Sequence, residues 1–407
     1  MITNISIANY KSFGADFSLE LAPFSVFIGP NAAGKTNFVD AFRFVQESAQ
    51  GDIAVAANRR AGWSGIRCRR RRSRKVSFSL SGVHPEGIEM GGEAEEEKLR
   101  FAETHFELAF SFQHQIEDDT YVITGEQATL RGRRLDDEHR EEGVISSFWR
   151  TEHEVSMHEP FREGQEKLTV PVPEANRDTL FTGTRFYSLV SIAIGEEIAD
   201  WCFYDPDPHA ARLPSNNLGT AFMSESGSTL ALVLHALEKQ EEKRTRLVNL
   251  MQTLVPGFED WGTELRKEEG QITFRIKEKR LRGTLPPGLI SDGTIRLLVI
   301  LSALLYPKKP PSAVFIEEPG RGLHPSVMGP LVDFMREASA QTQIIVTTHN
   351  PEFVRHCRPG EVYLMDKIEG LTQVVRASSI AQIDKFLELF ALDELWLQGQ
   401  LELGIPL

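Results

Sequence analysis

The octapeptide Gly29-Pro30-Asn31-Ala32-Ala33-Gly34-Lys35-Thr36 fits G-x-x-x-x-G-K-[ST] and restricts the fold more than any other stretch of the chain. The apolar run at residues 24–28 precedes it and suits a buried parallel strand. Residues 36–45 follow it, with apolar side chains at helical spacing. The expected context is therefore strand, tight loop, helix. Glycines let such a backbone curl until its N–H groups face a β-phosphate, and the helix N-terminus adds a favourable dipole. Lys35 is placed to neutralise the β/γ oxygens and the Thr36 hydroxyl to ligate Mg²⁺. Asn37 follows directly and is taken with the loop as a nucleotide contact.

Other stretches answer to this loop. Residues 312–318 read as an apolar strand ending in Glu317 and Glu318. Carboxylates at the C-terminal edge of such a strand hold Mg²⁺ and orient an attacking water. Glu317 takes the metal side and Glu318 the general base; two glutamates at a solvated strand end are the bland alternative. The neighbouring apolar run at residues 343–346 ends in Thr347-Thr348-His349-Asn350. A histidine at a strand tip can donate to a γ-phosphate or to the attacking water, although a lone histidine is more often a surface or capping residue. Ser291-Asp292-Gly293 precedes an apolar helix; Ser291 and the Gly293 N–H suit an anion, or Ser291 is a plain N-cap.

The last third alternates helices with buried strands at 313–316, 343–347 and 361–365, which implies a parallel sheet covered by helices. Strand-like pieces alternate with polar turns over 76–172, read as antiparallel and mostly solvent-facing, with an acidic insert from Gly91 to Lys98. Residues 180–255 read as helical, and 271–277 as a half-buried strand. The fold class expected is α/β: a parallel-sheet nucleotide core, split between residues 1–50 and 285–407. A mostly β insertion at 51–180 and a helical arm plus strands at 181–284 interrupt it.

The 407 residues are 41% hydrophobic, enough for a sizeable core, and the net charge of −13 excludes a surface that coats nucleic acid throughout. Three scattered cysteines, Cys68, Cys202 and Cys357, point to a reducing compartment without disulfide or zinc frameworks. The start lacks the pattern of a signal peptide, and the longest apolar stretch, 297–306, is about half a bilayer span. A cytoplasmic protein with no membrane segment is expected.

The order of phosphate loop, Ser-Asp-Gly, Glu-Glu strand end, Gly322-Leu323-His324-Pro325 and Thr-Thr-His-Asn resembles the ABC-class ATPases of the SMC, RecF and OLD type, including the AAA15 and AAA21 groups. Asn9-Tyr10-Lys11-Ser12-Phe13 and Leu392-Asp393-Glu394-Leu395-Trp396 look like that group as well. The resemblance covers about the first 50 residues and 285–400. It implies a P-loop NTPase of ABC type that binds ATP and Mg²⁺, the metal lying between Thr36 and Glu317, with Glu318 polarising water. It also implies an ATP-dependent homodimer or higher oligomer in which Ser291 and Gly293 act in trans, with slow turnover. Gly320-Arg321 stands where the group commonly has Glu-Asn, and no Q-loop glutamine is placed, since Gln46 and Gln50 lie on the first helix. The chain ends at Leu407, which leads to the expectation of no C-terminal TOPRIM nuclease and no long coiled coil.

Arg67, Arg69, Arg70, Arg71, Arg72, Arg74 and Lys75 put seven positive charges in nine residues, suited to the phosphates of DNA or RNA or to a solvated loop. Two functions follow from these readings. One is an ATP-driven dimer acting on DNA or controlling a partner nuclease or toxin, as in repair or antiphage defence. The other is a nucleotide-gated scaffold that sequesters a protein without touching DNA.

Overall fold

The computed structural model describes residues 1–91, 98–135, 143–160, 167–172, 177, 178, 180, 188–217, 219–399 and 401. Residues 92–97, the body of the acidic insert, and 181–187, at the start of the helical stretch, lie outside the described residues. Two compact units are formed by interleaved segments: residues 1–22, 31–201 and 365–374 make the first, and 23–30, 202–364 and 375–407 the second.

In the first unit, besides a separate hairpin in which Ile88–Gly91 pairs with Lys98–Phe101, eight of the described strands form an antiparallel sheet. Its order is Lys167–Pro171, Glu154–His158, Gly143–Arg150, Thr120–Gly132, Thr104–Gln115, Lys75–His84, Ile2–Ala8 and Phe17–Glu20. Alternation decides which face is covered. Phe106, Leu108, Phe110 and Phe112 are buried while the residues between them face out, so this half is half-buried rather than mostly solvent-facing. The helix Lys35–Gln50 covers the inner face, stacking Phe44 on Phe78 and Phe112 with ring centroids 5.6 and 5.7 Å apart. Each such buried ring contributes about 1.5–3 kcal/mol. Residues 51–73, at the start of the insertion expected to be mostly β, contain two short helices, Ile53–Asn58 and Trp63–Ile66.

In the second unit, Cys202–Tyr204, Ala313–Glu317, Gln343–Thr348, Phe24–Ile28 and Val362–Ile368 pair in that order, every pair parallel. One register row, Ile316, Val346, Val26 and Val362, is apolar across four strands and shares a core with the helices Asp292–Leu305 and Pro325–Ala338. Cys202–Tyr204 falls within the stretch read as helical. Three residues are too few to carry a period, and only pairing with Val314, Phe315 and Ile316 makes them a strand. The helices Leu230–Leu237 and Asp292–Leu305 bury nearly all their apolar side chains in the same core. No described helix is long and apolar enough to cross a membrane.

Candidate active site

Parallel register sets the ends of three strands side by side in the second unit. Glu317 lies opposite Thr347, and Thr348 opposite Ile28, after which the chain enters Gly29 and Pro30. Parallel sheets bind ligands at this C-terminal edge. Both glutamates, the Thr-Thr-His-Asn segment and the start of the phosphate loop therefore leave from one edge.

Glu318 occupies the left-handed region at φ 47, at a cost of roughly 1–2 kcal/mol for a residue with a Cβ. Its backbone N–H donates to the Thr347 carbonyl (2.8 Å), which fixes the turn and aims the carboxylate back at the neighbouring strand. There Oε2 accepts from Thr348 Oγ1 at 3.1 Å and from the His349 N–H at 3.3 Å. Oε1 lies 2.6 Å from His349 Nδ1; an ionised carboxylate only accepts, so Nδ1 carries the proton. The arrangement yields an oriented, half-buried carboxylate beside an exposed imidazole. Thr348, quoted in the sequence motif without a role, is the fully buried member that ties the two strand ends together.

The phosphate loop passes into the first unit at Asn31. Gly34 has φ 116, and a Cβ there would come within 2.2 Å of Thr372 Oγ1, so only glycine fits. Gly34 is also the N-cap of Lys35–Gln50, and no side chain caps that helix. A helix N-terminus entered through such a glycine turn suits an anion, so the loop fits a nucleotide phosphate. Half-buried Lys35 and exposed Thr36 follow. Thr372 Oγ1 lies 2.9 Å from the Ala33 carbonyl oxygen and 2.7 Å from Ser12 Oγ, which accepts from Asn37 Nδ2 at 2.8 Å. A relay from Asn37 to Ser12 to Thr372 to the Ala33 carbonyl gives each hydroxyl one proton to donate. Asn37 thus faces the loop's own scaffold. Thr372 carries no signal in the sequence; it arrives from far along the chain.

One face of the same helix is set by charge. Asp40 accepts from the Tyr10 hydroxyl (2.6 Å) and Arg60 Nε (2.8 Å) and pairs with Lys11, while Arg60 Nη1 reaches Glu47. Burial works against the charge on Asp40, yet Arg60 and Lys11 outweigh it and hold the carboxyl below its ordinary 3.8. Gln46 Nε2 donates to the carbonyls of Ile198 (2.8 Å) and Trp201 (2.9 Å), which gives that side chain a structural partner.

In the second unit Ser291 caps Asp292–Leu305, its Oγ accepting from Thr294 N at 3.1 Å. Arg212 organises the approach: Nε donates to Pro287 O (3.0 Å), and Nη2 to Ile290 O (2.7 Å) and Asp292 Oδ1 (2.5 Å). The hydrogen bond from Arg212 lowers the Asp292 carboxyl below its ordinary range. Gly293 packs on the Gly322 turn, where a Cβ would sit 3.0 Å from the Gly322 carbonyl oxygen. Ser291 and Asp292 remain exposed at the helix start. Arg212 lies in a Pro/Asp-rich loop whose composition gives no hint of a clamp.

A family model described as "AAA domain, putative AbiEii toxin, Type IV TA system" matches residues 24–355, well over half the chain. The chain belongs to this family. Membership makes it an AAA-type ATPase, in accord with the resemblance to the AAA15 and AAA21 groups. No curated protein matches the chain. Among solved structures it is similar to an Smc head bound to the C-winged helix domain of ScpA, at 13% identity and TM-score 0.53, covering 92% of this chain and 97% of that one. It is also similar to an Smc head domain with an extended coiled coil bound to the C-terminal domain of ScpA derived from Pyrococcus furiosus. There the identity is 12% and the TM-score 0.51, covering 95% and 99%. These similarities give the fold: a P-loop ATPase head with parallel and antiparallel sheets, as the sequence led one to expect.

Proposed function

We propose that the chain is an ATP-gated homodimer whose cycle of ATP binding and hydrolysis is coupled to DNA or to a partner effector, such as a nuclease or toxin, in antiphage defence or repair. The observation that carries this reading is the Glu318 carboxylate, held in a strained turn by Thr348 and His349 on the strand beside the one that leads into the phosphate loop. Bound ATP with Mg²⁺ supplies the γ-phosphate and the charge that draws the loop and acidic edge into use. Gly29, Pro30, Asn31, Ala32, Ala33 and Gly34 would cradle the phosphates of ATP, Lys35 would neutralise them, and Thr36 and Glu317 would be ligands for Mg²⁺. Glu318 takes a proton from water, and His349 orients it and responds to the γ-phosphate. Ser291 and Asp292, exposed at a helix start, complete with Gly293 the site of a second copy.

That last role is tested by light scattering on Glu318→Gln with and without ATP. ATP is expected to double the mass of Glu318→Gln, and the double variant Ser291→Arg/Glu318→Gln is expected to bind ATP yet stay monomeric. A double variant that still dimerises with ATP contradicts the role in trans.

A further inference from the structure

The seven cationic side chains of residues 67–75 are all exposed, and no described carboxylate pairs with any of them. Like charges at this density repel, so something must hold the segment in place. Both of its ends are tied to Asn9: Cys68 N donates to Asn9 O (2.9 Å), and Asn9 Nδ2 donates to Lys75 O (3.1 Å). Lys11 N reaches Ile66 O at 2.7 Å. Asn9 and Lys11 both lie in the left-handed region, at φ 60 and 48, a costly backbone that this set of bonds fixes.

The same short turn reaches the nucleotide loop. Lys11 pairs with Asp40 on the phosphate-loop helix, Ser12 O accepts from Thr372 N at 2.8 Å, and Ser12 Oγ sits between Asn37 and Thr372. A second route starts in the middle of the run. Arg70 lies against Gly370, at the turn before the strand that carries Thr372; a Cβ on Gly370 would come within 2.5 Å of Arg70 Nε. Thr372 in turn holds the Ala33 carbonyl.

We infer that the arginine run is a docking strip for the phosphate backbone of duplex DNA, and that its occupancy is read at the phosphate loop through the turn at residues 9–12 and through Arg70, Gly370 and Thr372. The inference rests on the DNA branch of the proposed function and adds the device by which DNA acts on the nucleotide. Charge complementarity selects the partner. On a chain of net charge −13 a strip this positive is a local exception, and a duplex offers one phosphate charge per ~1.7 Å of axis. A phosphate that draws Arg70 away from Gly370 loosens the packing beneath Thr372 and so changes its hold on Ala33. By linkage, nucleotide must then change DNA affinity by the same factor.

The test uses the full chain. Affinity for a fluorescent ATP analogue is measured with and without duplex DNA, and duplex binding is followed by anisotropy across a salt series. Arg70→Ala and Arg72→Ala each delete one exposed charge, and each is expected to reduce the slope of log affinity against log salt by about 1. In the wild type and Arg72→Ala, DNA is expected to change nucleotide affinity by about fivefold or more. In Arg70→Ala and Thr372→Val the factor is expected to fall below about twofold. Equal factors in all four proteins overturn the route. A wild type that binds nucleotide but shows no salt-dependent duplex binding overturns the docking strip. Duplex binding with a factor of one overturns the read-out while leaving the DNA reading in place.

Discussion

The acidic strand ends of the second unit and the arginine run of the first handle charge in opposite ways. Glu318 has acceptor positions filled by Thr348, the His349 N–H and the His349 ring, and its backbone is pinned in a conformation it would otherwise avoid. The arginines beside Asn9 have no described carboxylate near enough to pair, and it is the backbone of their segment that is tied down, at both ends, to Asn9. Charge that is satisfied within the molecule sets the geometry of a reaction. Charge left unsatisfied at the surface is available for recognition, and its strength varies with salt.

The contrast breaks most sharply at Lys35. Lys35→Ala removes the charge that meets the phosphates and is expected to weaken ATP binding by about a hundredfold or more, read by calorimetry. Arg72→Ala, by contrast, should leave ATP affinity within about twofold. Equal losses in the two would erase the division between reaction and recognition.

A smaller effect sharpens it at Asp40, an internally satisfied charge on the phosphate-loop helix of the first unit. Its carboxyl is depressed below 3.8, so its contribution is complete above that value and is lost as the pH falls through the lower folded value. Asp40→Asn is expected to destabilise the chain by about 2 kcal/mol at neutral pH in urea unfolding. The gap to wild type should narrow as the pH drops below 3.8. A gap that stays constant with pH would mean that packing, rather than charge, holds Asp40.

The parts of the site legible in the sequence are those built from a few consecutive residues. Glycine at 34 is required by its own φ and by the space around it, and Glu317, Glu318 and His349 end short apolar runs whose register follows from parallel pairing. Ser12, Thr372 and Arg212 act at positions that chain order scatters, and no period or composition marks a residue that holds a carbonyl 75 or 339 positions away. The edge strand Cys202–Tyr204 escaped notice for a related reason, since its strand character comes from its neighbour rather than from its own three residues. The exposure of the basic run follows from composition. Its attachment to the phosphate loop does not, because Asn9 meets Lys75, and Arg70 meets Gly370, across long stretches of chain.

The most direct test of the account is steady-state ATP turnover of the wild type and Glu318→Gln, paired with ATP affinity for both. The account predicts that Glu318→Gln keeps ATP affinity within about threefold and loses turnover by about a hundredfold or more, because the group that takes the proton from water is gone. Turnover in Glu318→Gln at the wild-type rate would contradict the assignment of the base, and with it the reading of the acidic strand end as the catalytic edge.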